Sequence, residues 1–240
     1  MKKLLATLFT LSSVFASGTL LAQKKQVNYY VRLTTDSGMC IMRLYNQTPQ
    51  HRDNFIKLTQ QHFYDSLLFH RVIKGFMIQG GDPTSKYAEP TKVLGDGDMG
   101  YTIPAEFNDS LFHKRGVLAA ARDNNPAMAS SGCQFYIVQG KKYTDAEMDV
   151  YEQTRLNGRK IPAYQREIYK TIGGSPFLDH NYTVYGEVVE GMEMVDKIAL
   201  AKKDSNNRPL TDIRMKVDLL SKREAKKLEK KLRKQQKRIN

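Results

Sequence analysis

Short runs in which apolar residues alternate with others recur along much of this 240-residue chain, and they are separated by turn residues more often than by helices. The first pair, "VNYYVRLTTDSGMCIMRLY", flanks Asp36-Ser37-Gly38 and reads as a β-hairpin. Further strand-like runs follow at residues 67–79, 116–121, 134–138, 182–188 and 212–220, with a shorter one in "GYTIP" stopped by Pro104. A parallel sheet would need a crossover helix after nearly every strand, and that alternation is missing. The spacing predicts a mainly β domain built on a closed or nearly closed antiparallel sheet.

A few segments change to helical period. In "TPQHRDNFIKLTQQHFY", Thr48 is the expected N-cap and Pro49 the first helical residue, with Phe55, Ile56, Leu58 and His62/Phe63 on one face. Thr144 and Glu147 have capping-box spacing, and Gly158 follows the helix they would start. A second helix is expected from Pro162 to the Gly173-Gly174 pair, burying Tyr164, Ile168 and Ile172. Together these predict a helical hairpin inserted at about residues 141–176. "EGMEMVDKIALA" predicts one more short helix, with Met192, Val195 and Ile198/Ala199 inward.

The two ends differ from the body. Residues 1–22 have a basic start at Lys2 and Lys3, an uncharged apolar stretch and small residues before Gln23, the pattern of a secretory signal cut after Ala22. An uncleaved anchor is the competing reading, since the uncharged stretch is about long enough to span a membrane. The expected location is therefore the periplasm or envelope. Of the formal charge of +13, the segment 222–238 carries ten Lys/Arg against two Glu, a net of +8. The body is nearly balanced, and 221–240 forms a separate basic tail whose apolar stripe, Ala225, Leu228, Leu232 and Ile239, is thin. No aromatic residue interleaves those charges as stacking on single-stranded nucleic acid would require; a solvated helix or disordered tail is the first reading, and an anionic membrane surface or an acidic partner is the alternative, ahead of nucleic acid in an exported protein.

Several chemistries are excluded. Only Cys40 and Cys133 are present, so there is no disulfide framework or cysteine zinc site; one bridge or two buried thiols remain open. Residues 95–100 match GxGxxG, but a β-like "YTIP" follows where a dinucleotide site needs a helix, and a solvated turn is expected. The five histidines lack metal-site spacing, and His70 reads as a structural or hydrogen-bonded residue. No metal and no cofactor is expected.

What remains is "FHRVIKGFMIQGGDP", residues 69–83. On a strand Leu67, Phe69, Arg71 and Ile73 share one face and Leu68, His70, Val72 and Lys74 the other, so Arg71 falls on an apolar face either way. A half-buried guanidinium must be hydrogen-bonded; a structural salt bridge and a functional charge are both compatible with this pattern.

This stretch resembles the FHR-x-I-x-GF-M-x-QGGD signature of cyclophilin-type peptidyl-prolyl cis-trans isomerases. "GYTIPAEF", "GVLAAAR", "GCQFYIV" and "FLDHNYTVYGEVVEGM" follow in the family's order, and the resemblance covers about residues 28–220. It implies an eight-stranded antiparallel barrel capped by two helices, with the domain spanning residues 23–220, and isomerisation of Xaa-Pro bonds in exported proteins. A noncatalytic chaperone or assembly module that only binds proline segments is the alternative.

By position, the resemblance implies Arg71 as the catalytic arginine, Phe76 and Met77 as proline-pocket residues and Gln79 as a contact to the peptide backbone. Ala121 and Arg122 match the substrate edge, Arg122 replacing an asparagine frequent in eukaryotic members. Gln134 matches the second glutamine and Leu178 the pocket leucine. Phe177 matches the Trp/Phe that precedes that leucine but departs from the tryptophan of some eukaryotic members, Tyr136 falls where the pocket phenylalanine usually is, and Tyr182 takes the place of a histidine in many members. The expected partners are proline-containing polypeptides, met by a monomer.

Overall fold

The computed structural model describes residues 27–239, leaving the expected leader and its cleavage site outside the described residues, as are the side chain of Ile239 and residue 240. The first hairpin forms where expected, with β1 (Tyr29–Thr35) paired residue for residue to β2 (Gly38–Leu44). Then come α1 (Pro49–Gln60), β3 (Phe69–Ile73), β4 (Met77–Gly80), β5 (Thr102–Ile103), β6 (Val117–Ala120), β7 (Ser130–Ser131) and β8 (Phe135–Val138). The insertion holds α2 (Asp145–Thr154) and α3 (Ala163–Thr171), followed by β9 (Val184–Glu190), α4 (Met192–Ala199), β10 (Lys216–Leu219) and α5 (Lys222–Ile239).

Eight strands form one curled antiparallel sheet in the order β10-β1-β2-β9-β6-β8-β4-β3. The closed barrel expected from the sequence is not completed as a ladder. Its end strands meet only at an isolated bridge, Leu68 to Arg214, flanked by Phe69 N–H donating to Ile213 O (3.0 Å) and Met215 N–H to Leu67 O (2.9 Å). Beyond that bridge the segment after α4 lies along β3, with Val72 N–H donating to Asn207 O at 2.9 Å and Lys203 Nζ to Val72 O at 3.1 Å. A loop therefore covers an edge that a strand would otherwise pair.

Strand alternation divides the side chains between two packed layers. Ile78, Leu118, Ala120, Phe135 and Ile137 point into the main core with Val31, Leu33, Met42 and Leu44. Met77, Val117, Ala119, Tyr136 and Val138 point outward and are covered by Leu178 and Val184, so these strands read as buried on both faces. Helix α1 closes one end: Phe55 packs edge-on against Phe135 at 5.5 Å, each such fully buried ring being worth about 1.5–3 kcal/mol. Its cap differs from the expected one. The Thr48 hydroxyl makes no cap bond, and the Glu106 carboxylate accepts instead from Gln50 N–H (3.1 Å) and His51 N–H (3.0 Å).

The capping box of α2 forms as expected, although the helix stops at Thr154, before Gly158. Helix α3 is rotated from expectation: Ile168 packs against the insertion's core as expected, but Tyr164 and Ile172 are over half exposed, while Gln165 and Tyr169 are buried. Gln165 Nε2 donates to Asp109 O (2.9 Å) and Tyr169 Oη to Asp179 Oδ2 (2.6 Å), while the exposed Tyr164 hydroxyl reaches the same Asp109 carbonyl at 3.2 Å. The basic tail is an ordered helix. Leu228, with Ala225 and Leu232 beside it, seats on Tyr30, Ile41 and Leu220, and Glu224 pairs with Arg32 at 2.8 Å.

Candidate active site

The signature stretch is a β3–β4 hairpin with an irregularity that re-aims its arginine. Phe69 pairs with Gly80 and Arg71 with Gln79, leaving His70 as the extra residue of a β-bulge. Phe69 and Val72 therefore both face the main core, while Arg71 and Ile73 face outward. The expectation that Phe69 and Arg71 share a face is corrected by this one residue.

On the outer face Arg71 is half-buried, and among the described residues it makes no ion pair, which removes the salt-bridge reading. Burial lowers its pKa, with Tyr182 opposing. Arg71 Nη1 donates to Gln79 Oε1 (3.1 Å), Gln79 Nε2 to Gln134 Oε1 (3.1 Å), and Gln134 Nε2 to the Gly95 and Gly97 carbonyls (2.6 and 2.8 Å). Each donor in this relay has an acceptor, so both amides have a fixed orientation. The guanidinium carbon lies 6.0 Å from the centroid of the Phe76 ring.

The Gly-Gly-Asp that ends the hairpin positions the loop closing this relay. Gly81 has φ +96°, and a Cβ there would stand 2.3 Å from Cys133 O, so only glycine lets the chain turn so close to β8. Asp82 then accepts from Thr84 N–H (2.7 Å) and Gly95 N–H (2.6 Å). Burial works against its charge, but those donors hold its carboxyl below the usual carboxylate range. The 95–100 loop is thus no mere solvated turn: Gly97 is buried, and Gly95 and Asp96 help form the rim of the groove.

That groove, of about 340 Å³, is lined by Arg71, Phe76, Met77, Gln79, Ala121, Arg122, Tyr136, Leu178 and Tyr182. The other two expected site residues flank it. Gln134 lies behind Gln79 in the relay, and Phe177 lies on the far side, 5.4 Å from the Phe76 ring. Tyr136 presents its ring to the groove while its hydroxyl meets His113 Nε2 at 2.9 Å in the layer beneath. His113 Nδ1 donates to Asp179 Oδ1 (2.8 Å), and Asp179 also accepts from His113 N–H and from Tyr169 of α3. Burial, together with Tyr182 and Asp179, pushes the Tyr136 phenol up, so it stays protonated as a donor. Among the described residues no cluster of three or more His, Cys, Asp or Glu is arranged to hold a metal ion, and Cys40 and Cys133 are buried free thiols.

Sequence reasoning missed His113, Asp179 and Tyr169, whose partners lie far apart in the chain. Of the two readings of His70, structural or hydrogen-bonded, the second is corrected: it is buried at the groove and has no hydrogen-bond partner on either ring nitrogen among the described residues. Burial pushes its pKa from 6.5 down to about 4, with Asp82 opposing and Arg71 and Arg208 reinforcing. The unfolded chain takes up this proton near pH 6.5 and the folded chain only near pH 4, so stability falls as pH drops through that window. The loss attributable to this residue is up to ~3 kcal/mol. Urea midpoints should fall across that range in the wild type and less steeply in His70→Leu; equal slopes would clear His70 of the effect.

Comparison with known proteins places this architecture. Residues 30–217 match the family model described as cyclophilin type peptidyl-prolyl cis-trans isomerase/CLD. The chain belongs to the cyclophilin-type peptidyl-prolyl cis-trans isomerase family, and its class is that of an isomerase. A Staphylococcus aureus protein named for peptidyl-prolyl cis-trans isomerase activity is 33% identical over 184 residues, covering 76% of this chain and 87% of its own length. A Streptococcus pyogenes protein named as a bifunctional phosphatase/peptidyl-prolyl cis-trans isomerase is 32% identical over 186 residues, but the match spans only 37% of it. A cyclophilin-type isomerase of Cryptosporidium parvum has a similar fold, with TM-score 0.60 and 24% identity over 81% of this chain and 99% of that one. The Cryptosporidium parvum protein has also been crystallised in the presence of the dipeptide Ala-Pro.

Proposed function

We propose that this protein accelerates cis-trans isomerisation of Xaa-Pro bonds in exported polypeptides, with Arg71 stabilising the twisted amide. The observation that carries the reading is the setting of Arg71: a half-buried guanidinium without an acidic partner among the described residues, in one groove with the apolar Phe76, Met77 and Leu178 and oriented by Gln79. Amide resonance holds the peptide bond planar behind a barrier of ~18–20 kcal/mol. As the bond twists, the prolyl nitrogen becomes pyramidal and gains a lone pair. A permanently charged, planar donor fork can hydrogen-bond that nitrogen or the neighbouring carbonyl, favouring the twisted form over either planar isomer.

Phe76, Met77, Tyr136 and Leu178 are suited to hold the pyrrolidine ring. Gln79 and Gln134, fixed in their relay, can bind the peptide backbone so that one side of the bond turns against a held partner. The tyrosine at 136 does not place a polar group in this pocket, since its hydroxyl is engaged with His113.

Exchange spectroscopy on a Xaa-Pro peptide with the purified chain tests the assignment. Cis-trans exchange far above the spontaneous rate supports it, whereas peptide binding without faster exchange would leave the noncatalytic proline-binding module. The reading extends to location and tail. The pattern of residues 1–22 supports export, and Arg223, Lys226, Lys230, Lys234 and Lys237 form the face of α5 opposite its packed stripe. Those charges suit an anionic lipid surface. Reversing Lys226, Lys230 and Lys237 to Glu should abolish retention on phosphatidylglycerol vesicles at moderate salt while sparing peptide exchange; undiminished retention would remove the membrane from the proposal.

A further inference from the structure

Building on the isomerase reading, we propose that the helical insertion adds a subsite that accepts an acidic side chain close to the proline of the substrate. Beyond Leu178 and Tyr182 the groove opens into a second hollow of about 370 Å³, which shares those two residues and Arg122 with it. Its far wall comes from α2, through Tyr151 and Arg155, and Phe177 and Asn181 complete it. No carboxylate lines this space, and two arginines do.

Both arginines are available to a ligand. Arg122 Nε donates to Asn181 O (2.8 Å) and Nη1 to Asp123 O (2.9 Å), and its guanidinium carbon sits 4.8 Å from the centroid of the Tyr182 ring. These contacts fix the guanidinium with its charge uncompensated by any ion pair among the described residues. Arg155, at the C-terminal end of α2, is exposed and likewise makes no ion pair among them. The four carboxylates of α2 are committed to other cations. Asp145 pairs with Arg166 and Lys170, Glu147 with Lys141, Asp149 with Arg166, and Glu152 with Lys160 and Arg166. The carboxylates of α2 thus find their cations at Lys141, Lys160, Arg166 and Lys170, and Arg155 is left facing the hollow.

An aromatic path connects the two spaces, since Phe177 lies 5.4 Å from Phe76 in the groove and 5.3 Å from Tyr151. A peptide whose proline sits on Phe76 and Met77 can run its next residues over Phe177, the stem of a glutamate resting on the rings and its carboxylate reaching the arginines. Neither Gln79 nor Gln134 lines this second hollow, so the preference is expected on one side of the proline only.

The test is a set of Xaa-Pro peptides with Glu, Ala or Lys at each of the two positions before and the two after proline, assayed with wild type, Arg155→Gln and Arg155→Glu. At one side of the proline the wild-type kcat/KM ratio of Glu to Ala peptide should be about five-fold, the upper range for a partly exposed ion pair, and should shrink as salt rises. Arg155→Gln should bring that ratio towards one, and Arg155→Glu should invert it in favour of Lys. Equal ratios at every position, or ratios unmoved by Arg155→Glu, would overturn the subsite. If no peptide is turned over, the isomerase reading fails by itself, and dissociation constants of the same fluorescently labelled peptides decide the subsite by the same ratios.

Discussion

Arg71→Ala should fold as the wild type does and lose about 10²- to 10³-fold in kcat/KM towards a Xaa-Pro peptide, the range seen when one oriented transition-state donor is removed. Folding should survive because Arg71 makes no ion pair among the described residues, and Gln79 can still donate to Gln134. The loss should fall on kcat more than on KM, since the donor gains its full partner only when the amide twists. Arg71→Lys separates charge from shape. An ammonium keeps the charge but not the planar fork that Gln79 orients, and at least about 10-fold impairment should persist. Near-normal turnover of a folded alanine variant would refute Arg71 as the catalytic group, and near-normal turnover of the lysine variant would reduce its role to that of a point charge.

The second large effect is expected beneath the pocket. Asp179 is 2% exposed and accepts from His113 N–H, His113 Nδ1 and Tyr169 Oη. Alanine at this position would leave those three donors buried without partners, at a cost of about 3–5 kcal/mol. In a chain of this size that is roughly a 10 °C drop in Tm. Tyr169→Phe removes only one donor and should cost about 1 kcal/mol. The aspartate variant should also raise KM, because the Tyr136 ring that forms the groove floor is held through His113. A melting temperature for Asp179→Ala within about 2 °C of wild type would mean that the network contributes little to the fold.

Features set by neighbouring residues were legible in the sequence. The turn at Asp36-Ser37-Gly38 fixed a hairpin, Thr144 and Glu147 fixed a helix start, and the period of residues 190–201 fixed the inward face of α4. Features set by distant partners were not. Thr48 has the chemistry of a cap, yet a carboxylate from Glu106 takes the role. Tyr164 and Ile172 are the apolar choices for the buried face of α3, yet Tyr169 and Gln165 take it, their polar tips bonded to Asp179 and Asp109, residues outside the helix period that a local reading uses. Strict alternation fails at His70 because one extra residue shifts the phase of everything before it, and no local rule announces a bulge. At the site, the family resemblance located the groove residues, whereas the supports of Tyr136 are visible only once residues 113, 136, 169 and 179 are brought together.

The partners of β1 set a timetable for the chain. Its two neighbours are β2, which follows at once, and β10, which arrives only at residues 216–219; α5, beyond that, covers Tyr30 and Ile41. A polypeptide emerging from its N-terminus would therefore hold one open strand edge, with bare apolar residues beside it, until nearly all of it had been delivered. A chain cut short before residue 216 should persist as an aggregation-prone intermediate needing a holdase, even though every groove residue would already be present.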